Sequence, residues 1–447
     1  MGDGTTFPGD FTFGVATAAY QVEGHIENDW SEWERAGKLK DPNHRCGRGV
    51  DHWNLFDHDV KLAKDVGCTA FRLSLEWARI EPARGRFDEE AIAAYRARLL
   101  RMKEAGIAPV VTLHHFTHPS WFHRETPWHE PSSVEVFRRY AKVCAQILRG
   151  LDAMVVTFNE PMVLLLGGYI QGVIPPGITD GKKAMAAIGN IARAHVAARE
   201  EILEECAGSR IGTSQNVLVF RPDRWWHPLD RAVTRLASEG YNHAFLRALT
   251  EGELRLFMPG LASTKQTIDG GRDSIDFVGL NYYTRAHLKF IPRPPFIAFR
   301  YRDVHKRGLT HIGWEDYPEG FSQMIEEAHA SYGKPIWITE NGIDDRLGTR
   351  RPKFLYDHWK QLLAAMKRGA DVRGYLYWSL MDNFEWLDGW GPRFGLYYVD
   401  FDSLERRPTP ACHYFRQVAL TRRLFDPSAT EAESGAQVAH SALATAG

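Results

Sequence analysis

The chain is poor in the residues that build cross-links. Its five cysteines (Cys46, Cys68, Cys144, Cys206 and Cys412) are scattered, odd in number and without a C-x-x-C pair. That spacing argues against a disulfide framework and a zinc knuckle, and leaves buried free thiols as the expectation. Charge of one sign is lacking too: 55 basic and 56 acidic side chains leave a formal net charge of −1. Nothing then draws the protein toward nucleic acid, anionic lipid or a polyanionic substrate, and a neutral small-molecule partner is the default. No stretch approaches the roughly 18 consecutive apolar residues of a membrane span, and Met1–Asp10 has no basic segment followed by an apolar one. A soluble, cytoplasmic protein is expected. There is no short-period repeat and no Gly/Ser-rich or Pro-rich linker, and the P-loop and dinucleotide fingerprints are missing, so no nucleotide cofactor is expected.

What is present is apolar and aromatic. Of 447 residues, 44% are hydrophobic, enough for a large core, and the 14 tryptophans exceed what a core ordinarily asks for. Aromatic faces stack on the apolar faces of sugar rings, so the excess is compatible with a carbohydrate site without identifying one. Strand-like runs fall at Phe11–Tyr20, Thr69–Trp77, Ala108–Phe116, Met154–Glu160, Arg210–Phe220, Ser274–Tyr283, Pro335–Glu340 and Val372–Met381. Helical periodicity lies between them. In Asp88–Ala105 the residues Ile92, Tyr95, Leu99 and Met102 recur at helical spacing, with Gly106 where a C-terminal cap belongs. Ser132 with Glu135 three positions on reads as a capping box. Eight strand–helix pairs predict an α/β fold, a single (β/α)8 TIM barrel over residues 1–425 with elaborated βα loops at its C-terminal mouth. Phe290–His311 reads as one such long loop over the mouth. Residues 426–447, rich in Ala, Ser and Glu, read as a disordered tail.

Two of the strands share a design. Val155-Val156-Thr157-Phe158-Asn159-Glu160-Pro161 and Ile336-Trp337-Ile338-Thr339-Glu340-Asn341-Gly342 are apolar runs that each end in one glutamate and leave through a breaker. In one parallel barrel both carboxyls face the C-terminal mouth, and paired carboxylates across a cleft point to glycoside hydrolysis.

Further motifs extend this. Phe13-Gly14-Val15-Ala16-Thr17-Ala18-Ala19-Tyr20-Gln21-Val22-Glu23-Gly24, Phe71-Arg72-Leu73-Ser74-Leu75-Glu76-Trp77, Asn281-Tyr282-Tyr283 and Trp378-Ser379-Leu380-Met381-Asp382-Asn383-Phe384-Glu385-Trp386 stand in order along the chain. With the two glutamate motifs they make the sequence resemble glycoside hydrolase family 1, the retaining β-glycosidases, from about Phe11 to about Phe425. The resemblance implies that Glu340 is the nucleophile and Glu160 the acid/base, with Arg72 and Tyr283 supporting Glu340. It implies that Gln21, His115, Asn159, Glu385 and Trp386 hold sugar hydroxyls and that Trp378 is the floor on which the sugar stacks. It implies an exo-acting β-glucosidase with tolerance for galactosides or fucosides, acting on small β-glycosides or short β-linked oligosaccharides. No metal and no cofactor are implied. The alternative is a catalytically silent sugar-binding relative on the same barrel; such proteins usually lack one glutamate, and this chain has both.

The histidine-rich run Thr112-Leu113-His114-His115-Phe116-Thr117-His118-Pro119, with His123 and His129 beyond, is a metal suspect in isolation. Against it, no carboxylate or cysteine joins the run, and adjacent His114 and His115 on a strand point to opposite faces. His114 and Phe116 stand where the family more commonly has tyrosine or phenylalanine before, and tryptophan after, the sugar-binding histidine. At Glu385-Trp386, relatives that take 6-phosphorylated sugars carry small and basic residues instead, so unphosphorylated substrates are expected.

Overall fold

The computed structural model describes residues 5–293 and 296–428. The expected tail therefore lies, beyond Ser428, outside the described residues. Eight parallel strands close into a barrel. In chain order β1 (Thr12–Ala16), β2 (Ala70–Ser74), β3 (Ala108–His114), β4 (Met154–Asn159) and β5 (Arg210–Pro222) pair in succession. The chain then leaves the barrel for an antiparallel hairpin, β6 (Glu253–Met258) with β7 (Ala262–Thr267). It returns as β8 (Phe277–Phe290), turns back as β9 (Ile297–Arg300), and completes the wall with β10 (Ile336–Asn341) and β11 (Val372–Trp378). β10 pairs with both β8 and β11, and β1 pairs with both β2 and β11, so the first strand of the chain hydrogen-bonds the last.

Alternation along the strands sorts side chains into two cores. Ala70, Val110, Met154, Val156, Phe277, Trp337 and Leu376 fill the barrel interior, while neighbours such as Phe71, Val111, Val155 and Tyr375 pack outward against the helices. A fully buried side chain of this size contributes about 1.5–3 kcal/mol, so the outer layer holds the helices in place. The helix Glu89–Glu104 follows expectation: Asp88 accepts from the Ala91 N–H at 3.0 Å, and Tyr95, Leu99 and Met102 are buried. Gly106 takes φ +78° just beyond, the left-handed conformation that ends a helix.

The capping box at Ser132 is a correction. Ser132 precedes the helix Ser133–Leu148 but sits at φ −63°, ψ −17° and makes no side-chain cap bond. A capping side chain needs an extended backbone to reach back to the first turn, and Ser132 is already helical. The expected long loop Phe290–His311 does lie between barrel strand β8 and the helix Pro318–Tyr332. Part of it is strand: β8 runs on to Phe290 and β9 pairs back along it from His287–Arg300 to Phe290–Ile297. Arg300 and Arg302 both bind Asp223, tying the hairpin to the loop after β5.

Below the barrel, Phe7, Phe11, Phe13, Trp359 and Phe415 interlock edge to face, and the Phe7 N–H donates to the Arg422 carbonyl at 2.8 Å. The two ends of the described chain thus close the floor together.

Candidate active site

The strand ends set the geometry of the mouth. Asn281 on β8 lies in register with Asn216 on β5 on one side and with Glu340 on β10 on the other. One layer of the barrel therefore carries a nucleophile candidate, a central amide and a second amide side by side.

Glu340 is held by charge. Its Oε1 accepts from Arg72 Nη1 at 2.6 Å and its Oε2 from the Tyr283 hydroxyl at 2.7 Å. Arg72 is wholly buried; its Nε donates to the Thr112 hydroxyl at 3.0 Å and its Nη2 to Asn159 Oδ1 at 2.7 Å. Burial pushes the Glu340 carboxyl above its ordinary value, opposed by the guanidinium and by the phenol. Gly342, two residues on, lets β10 pass the β11 end: a Cβ there would meet the Trp378 carbonyl oxygen at 1.9 Å.

Glu160 is held by neutral amides. Its Oε1 accepts from Asn281 Nδ2 at 2.8 Å and from Asn216 Nδ2 at 3.1 Å. The residue sits at φ +48°, a left-handed conformation that costs a non-glycine residue on the order of 1 kcal/mol. Two constraints hold it there. Its N–H continues the ladder to the Ser214 carbonyl at 2.7 Å, and Pro161 behind it disfavours the right-handed helical alternative. Burial, and then the nearby Glu340 carboxylate, push Glu160 up to about 8. The two carboxyls thus face unlike surroundings, as an acid and a nucleophile at one pH require.

The sugar-binding candidates converge on the same mouth. Asn159 Oδ1 must accept, because Arg72 can only donate, so its amide nitrogen points at His115 Nε2, 3.0 Å away. His115 Nε2 is then the acceptor and Nδ1 carries the hydrogen; burial, with Arg72 beside it, holds the ring neutral by pulling its pKa well below the usual value. Among the described residues that buried Nδ1 has no partner, and neither has Gln21 Oε1. Gln21 Nε2 donates to the Phe384 carbonyl at 2.7 Å, to Asn383 Oδ1 at 3.0 Å and to Glu385 Oε2 at 3.3 Å. A buried donor and a buried acceptor left open cost about 1–3 kcal/mol each unless a ligand hydroxyl meets them. Trp378 and Trp386 flank His115 with ring centroids at 6.0 and 5.9 Å, and Trp386 also packs on Trp30 at 4.6 Å. His114 turns the other way, into Trp128 and Phe158 of the outer core, as alternation requires. Among the described residues no group of three or more His, Cys, Asp or Glu side chains is arranged to hold a metal ion.

All ten predicted site residues therefore stand at the C-terminal mouth. Sequence reasoning missed Asn216, Tyr241 and the role of Asn281. The signal for Asn216 was present as Thr213-Ser214-Gln215-Asn216, a polar run in the middle of a barrel strand. Tyr241, whose hydroxyl donates to Asn216 Oδ1 at 2.8 Å, lies in the turn Glu239–His243 outside the barrel, and nothing local marks it.

Comparison with known proteins identifies the family and the fold. The model of glycosyl hydrolase family 1 matches residues 4–424. Beta-glucosidase A of Thermotoga maritima is 31% identical over 94% of this chain and 99% of its own. A beta-galactosidase of Pyrococcus woesei is 28% identical over 90% of this chain and 94% of its own. The solved beta-glycosidase from Pyrococcus horikoshii superposes with a TM-score of 0.88 at 34% identity, covering 94% of this chain and 96% of that one. The beta-glucosidase from Thermotoga maritima in complex with deoxynojirimycin gives 0.85 at 28% identity, over 94% and 100%.

Proposed function

The chain belongs to glycosyl hydrolase family 1, and on that premise we propose that it is an exo-acting retaining β-glycosidase that removes terminal non-reducing β-D-glucosyl residues. Galactosyl and fucosyl residues are included as secondary substrates; for galactosyl residues the breadth is supported by a relative named for galactosidase activity beside those named for glucosidase. The observation that carries the mechanism is the unlike setting of two buried glutamates at one mouth: Glu340 bound by a guanidinium, Glu160 bound by amides and titrating near 8.

In the first step a Glu340 carboxylate oxygen attacks the anomeric carbon and forms a C–O ester bond. The glycosidic C–O bond breaks, its electron pair leaves on the departing oxygen, and that oxygen takes the Glu160 proton. In the second step Glu160, now a carboxylate, takes a proton from water as the water oxygen attacks the same carbon, and Glu340 is released. Arg72 and Tyr283 keep Glu340 ionised and aimed. Asn159, oriented by Arg72, binds the 2-hydroxyl, a contact that strengthens toward the transition state. His115 Nδ1–H and Gln21 Oε1 meet further hydroxyls, Glu385 and Trp386 close the far end, and Trp378 supplies the stacking floor.

The carboxyl of Glu385, hydrogen-bonded by Gln21, supports unphosphorylated glycosides as the substrates. Five buried free thiols suit a reducing, cytoplasmic setting, and no helix among the described residues is long and apolar enough to cross a membrane. The test is the anomer of newly released sugar, followed by NMR during cleavage of p-nitrophenyl β-glucoside. Appearance of the β-anomer first is expected. The α-anomer first overturns the covalent step, and no release from any β-glycoside returns the silent-relative alternative.

A further inference from the structure

Glu160 takes both of its side-chain hydrogen bonds on one oxygen. Asn281 and Asn216 reach Oε1 from neighbouring strands, and no protein donor reaches Oε2 among the described residues. An amide can face either way, so the question is what fixes these two.

For Asn281 the answer starts at Arg72. A guanidinium has no acceptor, so Asn159 Oδ1, 2.7 Å from Arg72 Nη2, is committed to accepting. Asn281 Nδ2 donates its second hydrogen to that same oxygen at 3.0 Å, which commits Asn281 Oδ1 to the other side, where the Thr339 hydroxyl donates to it at 2.7 Å. Asn281 is therefore locked through Asn159 to the fixed charge of Arg72. Asn216 has no such chain. Its Oδ1 is fixed by one contact, the Tyr241 hydroxyl at 2.8 Å. Without that hydroxyl the amide is free to invert and offer oxygen to Glu160 Oε1.

We infer that Tyr241 is a positioning residue: by holding Asn216 so that a second N–H fills Oε1, it confines the proton of the general acid to Oε2. The inference rests on Glu160 being the acid. Two amide donors occupy both lone-pair directions of Oε1, so a proton there would lose a hydrogen bond, whereas Oε2 is free to carry it to the leaving oxygen. Inverting Asn216 reverses the preference, because its oxygen then accepts from a proton on Oε1, and the acid is protonated on the wrong atom. The same change removes a donor to the carboxylate, so the acid also holds its proton to higher pH. The other charged or titratable groups facing Glu160 are Glu340 from β10, Arg72 from β2, Tyr283 from β8 and Glu385 beyond β11. None of them is altered when Tyr241 loses its hydroxyl.

Tyr241→Phe is the clean variant. The ring keeps its edge contact with Phe220 at 5.8 Å, and the backbone carbonyl keeps its bond from Gln215 Nε2 at 2.9 Å. The measurement is the pH profile of kcat/KM on phenyl β-glucoside, beside kcat/KM on 2,4-dinitrophenyl β-glucoside, which reports formation of the glycosyl-enzyme alone and whose leaving group needs no proton. The basic limb is expected to move up by roughly half to one pH unit, the worth of one hydrogen bond. The kcat/KM of the phenyl glycoside should fall several-fold while that of the dinitrophenyl glycoside is unchanged. Asn216→Leu should move the limb the same way. A limb that stays at its wild-type position in both folded variants overturns the inference. Glu160→Ala separates the two claims: if it harms both substrates equally, the acid assignment fails and this inference goes with it. If it spares the dinitrophenyl substrate while the Tyr241→Phe limb is unmoved, only the positioning role is overturned.

Discussion

Glu340 and Glu160 both lie at the C-terminal ends of parallel strands, both are buried and both accept two side-chain hydrogen bonds, yet one is gripped by a cation and the other by amides. Burial alone would raise both carboxyls alike. What separates them is the partner each strand end meets, and β2 supplies Arg72 to one side of the mouth only. A common scaffold thus makes two chemically different acids from one residue type.

The sharpest way to break this contrast is to delete the ionised partner. Glu340→Gly should lower kcat by roughly 10^4-fold or more while thermal unfolding remains cooperative, and azide or formate should restore turnover by entering the space left. Full activity in that variant would end the nucleophile assignment. Glu160→Ala should cost about 10^2- to 10^4-fold in kcat/KM on phenyl or oligosaccharide substrates and little in kcat/KM on dinitrophenyl glycosides, whose turnover is then held back by the second step. Arg72→Gln makes the two surroundings alike by leaving Glu340 among neutral groups. The rate should drop about 10^2- to 10^3-fold. The acidic limb should shift to higher pH, because a nucleophile that must be ionised then ionises later; an unmoved acidic limb would sever Arg72 from Glu340. In the unaltered enzyme the sign is opposite on the other side. Glu160 must be protonated and titrates near 8, so kcat/KM on poor leaving groups should decline as pH rises through about 8. The smallest effect is expected away from both carboxyls: Trp225 is 79% exposed, and Trp225→Ala should change stability by no more than about 0.5 kcal/mol by denaturant titration.

The same contrast explains what could be read from the sequence. Glu340 and Glu160 were legible because an apolar strand ending in one carboxyl and a breaker is a local pattern, and parallel strands aim their ends at one face. Arg72, Asn159 and His115 were assigned their roles by the resemblance of their motifs to the family, not by the strand-end pattern. The amide pair was not legible, because Asn216 and Asn281 matter only once β5 and β8 lie in register, and β6 and β7 separate them in the chain. Tyr241 is further removed, reaching Asn216 from a helical turn outside the wall. The β6–β7 hairpin itself alternated in plain view, with Leu254 and Leu256 buried and Arg255 and Phe257 exposed. It adds two strands to the eight of the expected barrel and lies outside the wall. Ser132 failed for a different reason: its spacing to Glu135 is right, but a cap depends on a backbone angle that spacing does not carry.

That β1 hydrogen-bonds β11 gives the molecule a history as well as a shape. A nascent chain makes the acid-bearing strand early and the nucleophile-bearing strand late, but the wall between them stays open until Val372–Trp378 has been synthesised. Until then β1 and β10 each present an unpaired strand edge, and the stacking floor at Trp378 does not exist. Hydrolysis therefore cannot be acquired gradually during translation. It waits until the last strand closes on the first and Glu385 and Trp386, which follow that strand, take their places at the mouth.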